Sequence, residues 1–205
     1  MRVSSLQTEV FAGPLGGTVG QHRFRPDAVV REEQPPRRLY TPHRGRVAVR
    51  ARALHDPRAM VAVWMIGYED RPERSAEICV CEIFGRDVGP DRALVGMGVH
   101  PFGDPAITDD FARVELPVDV RGLHVYSADW GADGVIFSVD GEPVRTVGQS
   151  PDHPMQLMLG IYEFPPEGGE DARPPEAYPK VFEVDWVRGW APERTRPSRA
   201  RGPTT

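Results

Sequence analysis

From residue 45 onward, short apolar runs follow one another with hardly a helical pattern among them. "GRVAVRARA" sets Arg46, Arg50 and Arg52 against Val47, Val49 and Ala51, the period of two expected of a strand with one wet and one packed face. "MVAVWMIG" is continuously apolar, as an inner strand would be. "LVGMGVH", "FARVELPV" and "LHVYSADW" follow, separated by Gly, Pro and Asp clusters. "GVIFSVDGEPVRTV" predicts a hairpin, because Asp140-Gly141 tolerates the positive φ angles of a type I′ turn. "MQLMLGIYEF" and "KVFEVDWVRGW" close the series, the latter alternating Phe182, Val184 and Trp186 against Glu183 and Asp185. The pattern predicts an all-β protein, a two-sheet antiparallel β-sandwich.

One strand breaks its own pattern. In "AEICVCEIFG", Glu77 and Glu82 bracket a run that otherwise reads as the middle of a buried strand, where charged side chains are rarely buried unless paired. In a regular strand residues 77 and 82 have opposite parity and point to opposite faces. One β-bulge restores the parity and brings Glu77, Cys79 and Glu82 onto one face, and bulges are over-represented next to active sites. Two carboxyls on one face, about 5 to 5.5 Å apart, are what a retaining glycosidase requires: one attacks the anomeric carbon, the other protonates the leaving oxygen and later activates water.

Composition sets the frame around that strand. A chain of 205 residues is the size of one large β domain. Its 22 Pro and 21 Gly, scattered between apolar runs, suit many turns joining many strands. We expect an irregular segment over residues 1–40, packing on or leading into the domain, then a β domain over 41–190 and a charged, unfolded tail over 191–205. The formal net charge is −5, and the basic residues, arginine at every position but Lys180, are interleaved with acids. No basic stripe suited to nucleic acid results, so no nucleic-acid partner is expected. No stretch has the roughly 18 apolar residues of a membrane span, and "MRVSSLQTEVFAGPLGGTVGQ" lacks the apolar core of a secretory signal. The expectation is a cytoplasmic protein with no membrane partner, and no feature sets its oligomeric state. Cys79 and Cys81 are too close along one strand to form a comfortable disulfide, and the dispersed histidines supply no tetrahedral metal set, so packing is favoured over a metal site.

The ordered series of strands, with "EICVCEIFG" in its middle, resembles glycoside hydrolase family 16, whose bulged signature is Glu-x-Asp-x-x-Glu followed by an aromatic residue and glycine. The resemblance runs over roughly residues 40 to 190. "RGRVAVRARAL" and "AVWMIG" are similar to the strands before the signature. "GLHVYSADWGADGVIFSVDGEPVRTV" is similar to the family's Phe-His-x-Tyr-x-x-x-Trp strand and Val-Asp-Gly hairpin, and "PMQLMLGIY" and "FEVDWVRGW" to its last strands. The resemblance implies a concanavalin A-like jelly roll with a concave sheet forming a cleft for β-linked glycans, hence a carbohydrate or small-molecule ligand.

It makes Glu77 the nucleophile and Glu82 the general acid/base, with Cys79 and His100 in support. Trp64 falls at an aromatic position of the cleft, and Trp130 is a second candidate for substrate binding. For both tryptophans, and for Tyr126, packing in the core is the competing reading. The resemblance implies no cofactor beyond a structural calcium ion on the convex face, where Asp185 sits at a common ligand position without a second acidic ligand.

Two positions depart from the pattern. Cys79 replaces the family's central aspartate, which helps to hold the two carboxyls in different protonation states. Met60 replaces a tryptophan common in laminarin-cleaving members. Retaining hydrolysis of a β-1,3 or β-1,3-1,4 glucan is the expected activity. The alternatives are a cleft redirected to a small intracellular metabolite and a non-catalytic carbohydrate-binding module.

Overall fold

The computed structural model describes residues 1–10, 13–18, 27–166 and 177–192. Thirteen strands run through them: β1 (Arg2–Gln7), β2 (Glu9–Val10), β3 (Arg37–Arg38), β4 (Gly45–Arg52), β5 (Ala59–Gly67), β6 (Glu77–Phe84), β7 (Ala93–His100), β8 (Asp110–Leu116), β9 (His124–Gly131), β10 (Gly134–Val139), β11 (Glu142–Val147), β12 (Met155–Glu163) and β13 (Glu183–Trp190). Every strand read from the apolar pattern is present. Short 3₁₀ turns lie at Pro72–Arg74 and Gly85–Asp87. No helix among them is long and apolar enough to cross a membrane.

Two antiparallel sheets face each other. One has six strands in the order β1-β12-β5-β6-β7-β8, the other five in the order β11-β10-β9-β4-β13, and β2 and β3 form a small separate pair. This is the expected jelly-roll sandwich. Alternation decides which side chains enter the space between the sheets: Val47, Val49 and Ala51 of β4 meet Val61, Val63 and Met65 of β5 and Ile78 of β6 in one continuous core. Each fully buried side chain such as Met65, Ile78 or Phe137 contributes about 1.5–3 kcal/mol by leaving water. Their polar neighbours on β4 face outward, where Arg50 pairs with Asp185 and Arg52 with Glu183. The β10–β11 turn is type I′, with φ of 52° at Asp140 and 89° at Gly141.

The amino-terminal region is less irregular than expected. Arg2–Gln7 adds an edge strand to the six-stranded sheet by pairing with β12, from Arg2 opposite Glu163 to Gln7 opposite Met158. Its side chains are mostly exposed, so the strand follows from the open hydrogen-bonding edge of β12 and leaves little alternation in the sequence. At the other end, Ala191 and Pro192 lie beyond β13, and the rest of the expected charged tail, residues 193–205, is outside the described residues.

The expected alternation of β13 is also corrected. Val184 opposes Ala51 and Trp186 opposes Arg50, so Asp185 is an inserted residue. The insertion turns Trp186 away from the inter-sheet face that Val184 occupies and onto the outer face, where Arg188 lies 4.4 Å over its ring.

Candidate active site

The site is built on β6 and depends on one inserted residue. Against β5, Val63 pairs with Cys81 and Trp64 with Cys79, leaving Val80 without an opposite number. Against β7, Cys79 pairs with Gly98 and Glu82 with Gly96, so Val80 and Cys81 together face one residue. Ile78, Val80, Cys81 and Ile83 all belong to the inter-sheet core. Consecutive residues cannot share a face in a regular strand, but at a bulge they do. Glu77, Cys79, Glu82 and Phe84 therefore lie together on the opposite face of the six-stranded sheet.

Neighbouring strands complete that face. Met60, Ala62, Trp64 and Ile66 of β5 and Tyr162 of β12 form a second apolar cluster there, with Phe84, Met158 and Phe164 packed against it. Trp64 pairs with Cys79 and Ala62 with Glu82. The Trp64 ring is only 8 % exposed, because Tyr162 lies against it at 5.9 Å between centroids. The tryptophan is thus a floor residue, and the edge of its six-membered ring lies over Gly160 of β12, where a Cβ would meet Cη2 at 2.9 Å. Met60, opposite Phe84, leaves the aromatic surface to Phe84, which stacks on Phe164 at 5.8 Å.

Glycines open the side of the floor toward β8. A side chain at Gly96 would bring its Cβ within 2.4 Å of Phe111 Cζ and 3.2 Å of Glu82 Cβ. The phenyl ring of Phe111 therefore leans over β7 toward Glu82, and only glycine leaves it room. His100 opposes Glu77 across the β6–β7 pairing. Its ring stacks on Phe111 at 4.8 Å, and Nδ1 lies 2.6 Å from Asp109 Oδ1. His100 thus stands beside the Glu77 end of the carboxyl face.

Electrostatics distinguish this pair from surface carboxylates. Burial, then repulsion from Glu82 and Glu69, pushes Glu77 up to about 8. Glu82 is also raised by burial, with the charge of His100 pulling the other way. Interacting groups lose their protons as a pair, so the geometry leaves the dyad holding a proton at neutral pH. Between them, Cys79 has no solvent exposure, and its Sγ lies 3.8 Å from the Gly96 carbonyl oxygen. Burial first, then both glutamates, hold its thiol neutral well beyond the usual range. Cys81 points the other way, into the core, where burial raises it to about 12. Both cysteines are free.

Trp130 is not part of this face. It lies on β9 of the five-stranded sheet and is 3 % exposed within the inter-sheet core, so its expected role in binding substrate in the cleft is withdrawn. Parity along β9 is the reason: Tyr126, Ala128 and Trp130 all point inward. Asp185, the sequence's candidate calcium ligand, bonds Arg50 instead. Among the described residues no group of three or more His, Cys, Asp or Glu side chains could hold a metal ion.

Sequence reasoning missed Tyr162, Phe84, Phe111 and Glu69. Tyr162 was legible in the parity of β12, where Leu157, Leu159 and Ile161 face the core and leave Met158 and Tyr162 for the cleft. Phe111 carried no such signal, since its approach depends on Gly96 in another strand.

The comparisons agree with this architecture. "Crh-like protein 5" of Aspergillus fumigatus is 27% identical over 110 residues, half of this chain but 25% of its own length. The chain thus spans only about a quarter of that curated relative. Among solved structures, a "GlcNAc[alpha]1-4Gal releasing endo-[beta]-galactosidase" from Clostridium perfringens superposes with a TM-score of 0.72 and 21% identity, over 92% of this chain and 46% of the other. The catalytic domain of a laminarinase from Thermotoga maritima gives a TM-score of 0.58 and 20% identity, over 75% of this chain and 66% of the other. At these identities the superpositions speak for the fold. The family model described as "Glycosyl hydrolases family 16" matches residues 41–188, the whole span from before β4 into β13, and the chain belongs to that family.

Proposed function

We propose that the chain is a retaining carbohydrate-active enzyme that cleaves a β-linked glucan in the open face of the six-stranded sheet. The observation that carries the reading is the bulge at Val80 and Cys81, which gives Glu77 and Glu82 a common face beside Trp64, Phe84 and Tyr162. Glu77 as carboxylate attacks the anomeric carbon while Glu82 gives its proton to the departing glycosidic oxygen. A glycosyl ester on Glu77 results. Glu82, now a carboxylate, takes a proton from water as the water oxygen attacks the same carbon and frees Glu77. The mechanism needs one proton on the pair at the start, and the mutual repulsion of two buried carboxyls supports that state. A sugar hydroxyl in place of the water would give transfer instead of hydrolysis.

A second reading, a cleft that holds a small ligand without cleaving it, draws on Cys79. The neutral thiol there is a much weaker hydrogen-bond donor to a neighbouring carboxylate than a carboxylic acid would be. One experiment separates these outcomes: incubation with laminarin and with a β-1,3-1,4-glucan, products being read by reducing-end assay and mass spectrometry. Shorter chains and new reducing ends support hydrolysis, and chains both shorter and longer than the substrate support transfer. The absence of either product from every β-glucan tested refutes the cleavage reading.

A further inference from the structure

We propose that the carboxyl pair acts at the end of a glycan chain and not within it, because the path that a chain would follow across the sheet is filled on both sides of the pair. Register places Gly160, Ala62, Glu82, Gly96 and Arg113 in one row across β12, β5, β6, β7 and β8. Side chains of such a row share a face of the sheet. To either side of Glu82 the row is small, and its composition alone would make it the smooth floor of a trough open from β12 to β8.

That floor is covered. Gly160 is buried, and a Cβ there would meet Trp64 Cη2 and Tyr162 Cε2, each at 2.9 Å. Ala62 is 1 % exposed. Beyond Glu82, Gly96 is buried under Phe111, whose Cζ a Cβ would meet at 2.4 Å. The covering rings come from neighbouring positions, so each glycine makes room for an aromatic side chain and not for a sugar.

The row through Glu77 is closed on one side. Gln156 pairs with Ile66, and Ile66 with Glu77; the first two are 0 and 5 % exposed although they share the face of the carboxyls. The amino-terminal β2–β3 pair reaches over this side. Tyr68, one residue beyond β5, donates its hydroxyl hydrogen to the Val10 carbonyl at 3.1 Å. Arg38 lies 4.0 Å over the same ring and 3.7 Å from the buried carboxylate of Glu9. On the other side of Glu77 the side chains stay accessible, His100 at 28 % and its partner Asp109 at 63 %.

A glucan lying across the sheet needs an accessible floor on both sides of the bond that is cut. Here a chain coming in past His100 meets Ile66 and Tyr68 once it has crossed Glu77. A chain end, lodged over the two carboxyls with the remainder leaving past His100, is what this shape accepts. Cleavage then detaches one short unit of fixed length, whether that unit passes to water or to a sugar hydroxyl. The inference rests on the reading that the pair cleaves glucan, but the filled rows do not.

Two measurements on the full chain test it. The first follows the hexasaccharide of β-1,3-glucan, fluorescently tagged at its reducing end, and a long soluble β-1,3-glucan. One short product length should dominate from the earliest time, and the viscosity of the polymer should fall no faster than its chains shorten from an end. Several product lengths at the outset, or a collapse of viscosity before reducing ends accumulate, overturns the inference. The second needs no turnover. Cys79 and Cys81 are buried, so a maleimide reports on cysteines placed in the path. Ala62→Cys should stay unlabelled over the time in which His100→Cys labels fully, and equal labelling of the two overturns the inference. Absence of any cleavage with Ala62→Cys still protected would leave the path closed and count against the cleavage reading alone.

Discussion

Replacing Glu77 by Gln should stabilise the protein, and by an amount that grows with pH. Burial, reinforced by Glu82 and Glu69, raises this carboxyl from 4.5 to about 8. In the unfolded chain it loses its proton near the ordinary value, so between about pH 4.5 and 8 folding takes up a proton and stability falls as pH rises. Each unit is worth about 1.4 kcal/mol, and two and a half units bring the penalty at neutral pH to about 3 kcal/mol. Glutamine keeps the shape and carries no charge, so the variant escapes the pH-dependent part. For a domain of this size the gain is a rise of about 6–12 °C in Tm near pH 7, shrinking to a constant offset from the amide near pH 4.5. Thermal unfolding of both proteins across this range is the assay. A difference that is independent of pH, or that shrinks as pH rises, would refute the picture of a carboxyl held neutral by its surroundings.

Three further outcomes are expected in the cleft. Glu82→Gln should lower kcat on β-1,3-glucan by about 10²- to 10⁴-fold, the usual worth of a general acid; an unchanged kcat would remove Glu82 from that role. Because cleavage needs one proton on the pair, and the carboxyl that holds its proton longest sits at about 8, kcat/KM should fall as pH rises through that value, and a profile still flat beyond about pH 9 would contradict the assignment. Cys79→Asp puts a strong donor, when protonated, where the thiol is a weak one. It should favour the ionised Glu77, move the acid limb downward and raise turnover at neutral pH by about tenfold; a variant that melts lower without gaining activity would assign the cleft to another ligand.

The strands were legible because their cause is local. Alternation in β4 and the Asp140-Gly141 dipeptide act through neighbours in sequence, and the sheet and turn appear where those signals lie. β1 was not legible, because its partner supplies the reason for it: the open edge of β12 accepts a strand whose side chains stay in water. The same division explains the site. Parity and charge on β6 alone required a bulge if both carboxyls were to share a face, so Glu77, Cys79 and Glu82 could be placed together from sequence. The position of Phe111 depends on a glycine in β7, and the burial of Trp64 depends on Tyr162 in β12, relations that a single strand's pattern cannot carry.

Two inserted residues in two strands make the contrast sharper. A slip of one residue exchanges the faces of everything beyond it. In β6 the inserted residue takes two glutamates that would otherwise point apart and sets both on the open face, while Val80 and Cys81 go together into the core. Regular pairing would have left Glu82 between the sheets, where a lone ionised carboxylate is too costly to bury. In β13 no charge had to be kept out of the core: Asp185 reaches Arg50 at the surface, and the strand reads as a plausible regular alternation without its insertion. Yet that insertion moves Trp186 to the outer face and keeps Trp190 in step with Arg46, whose guanidinium lies over its ring. A bulge announces itself in sequence only where the unbulged strand would bury a charge. The one under the carboxyl pair did so, and the one that aims Trp190 did not.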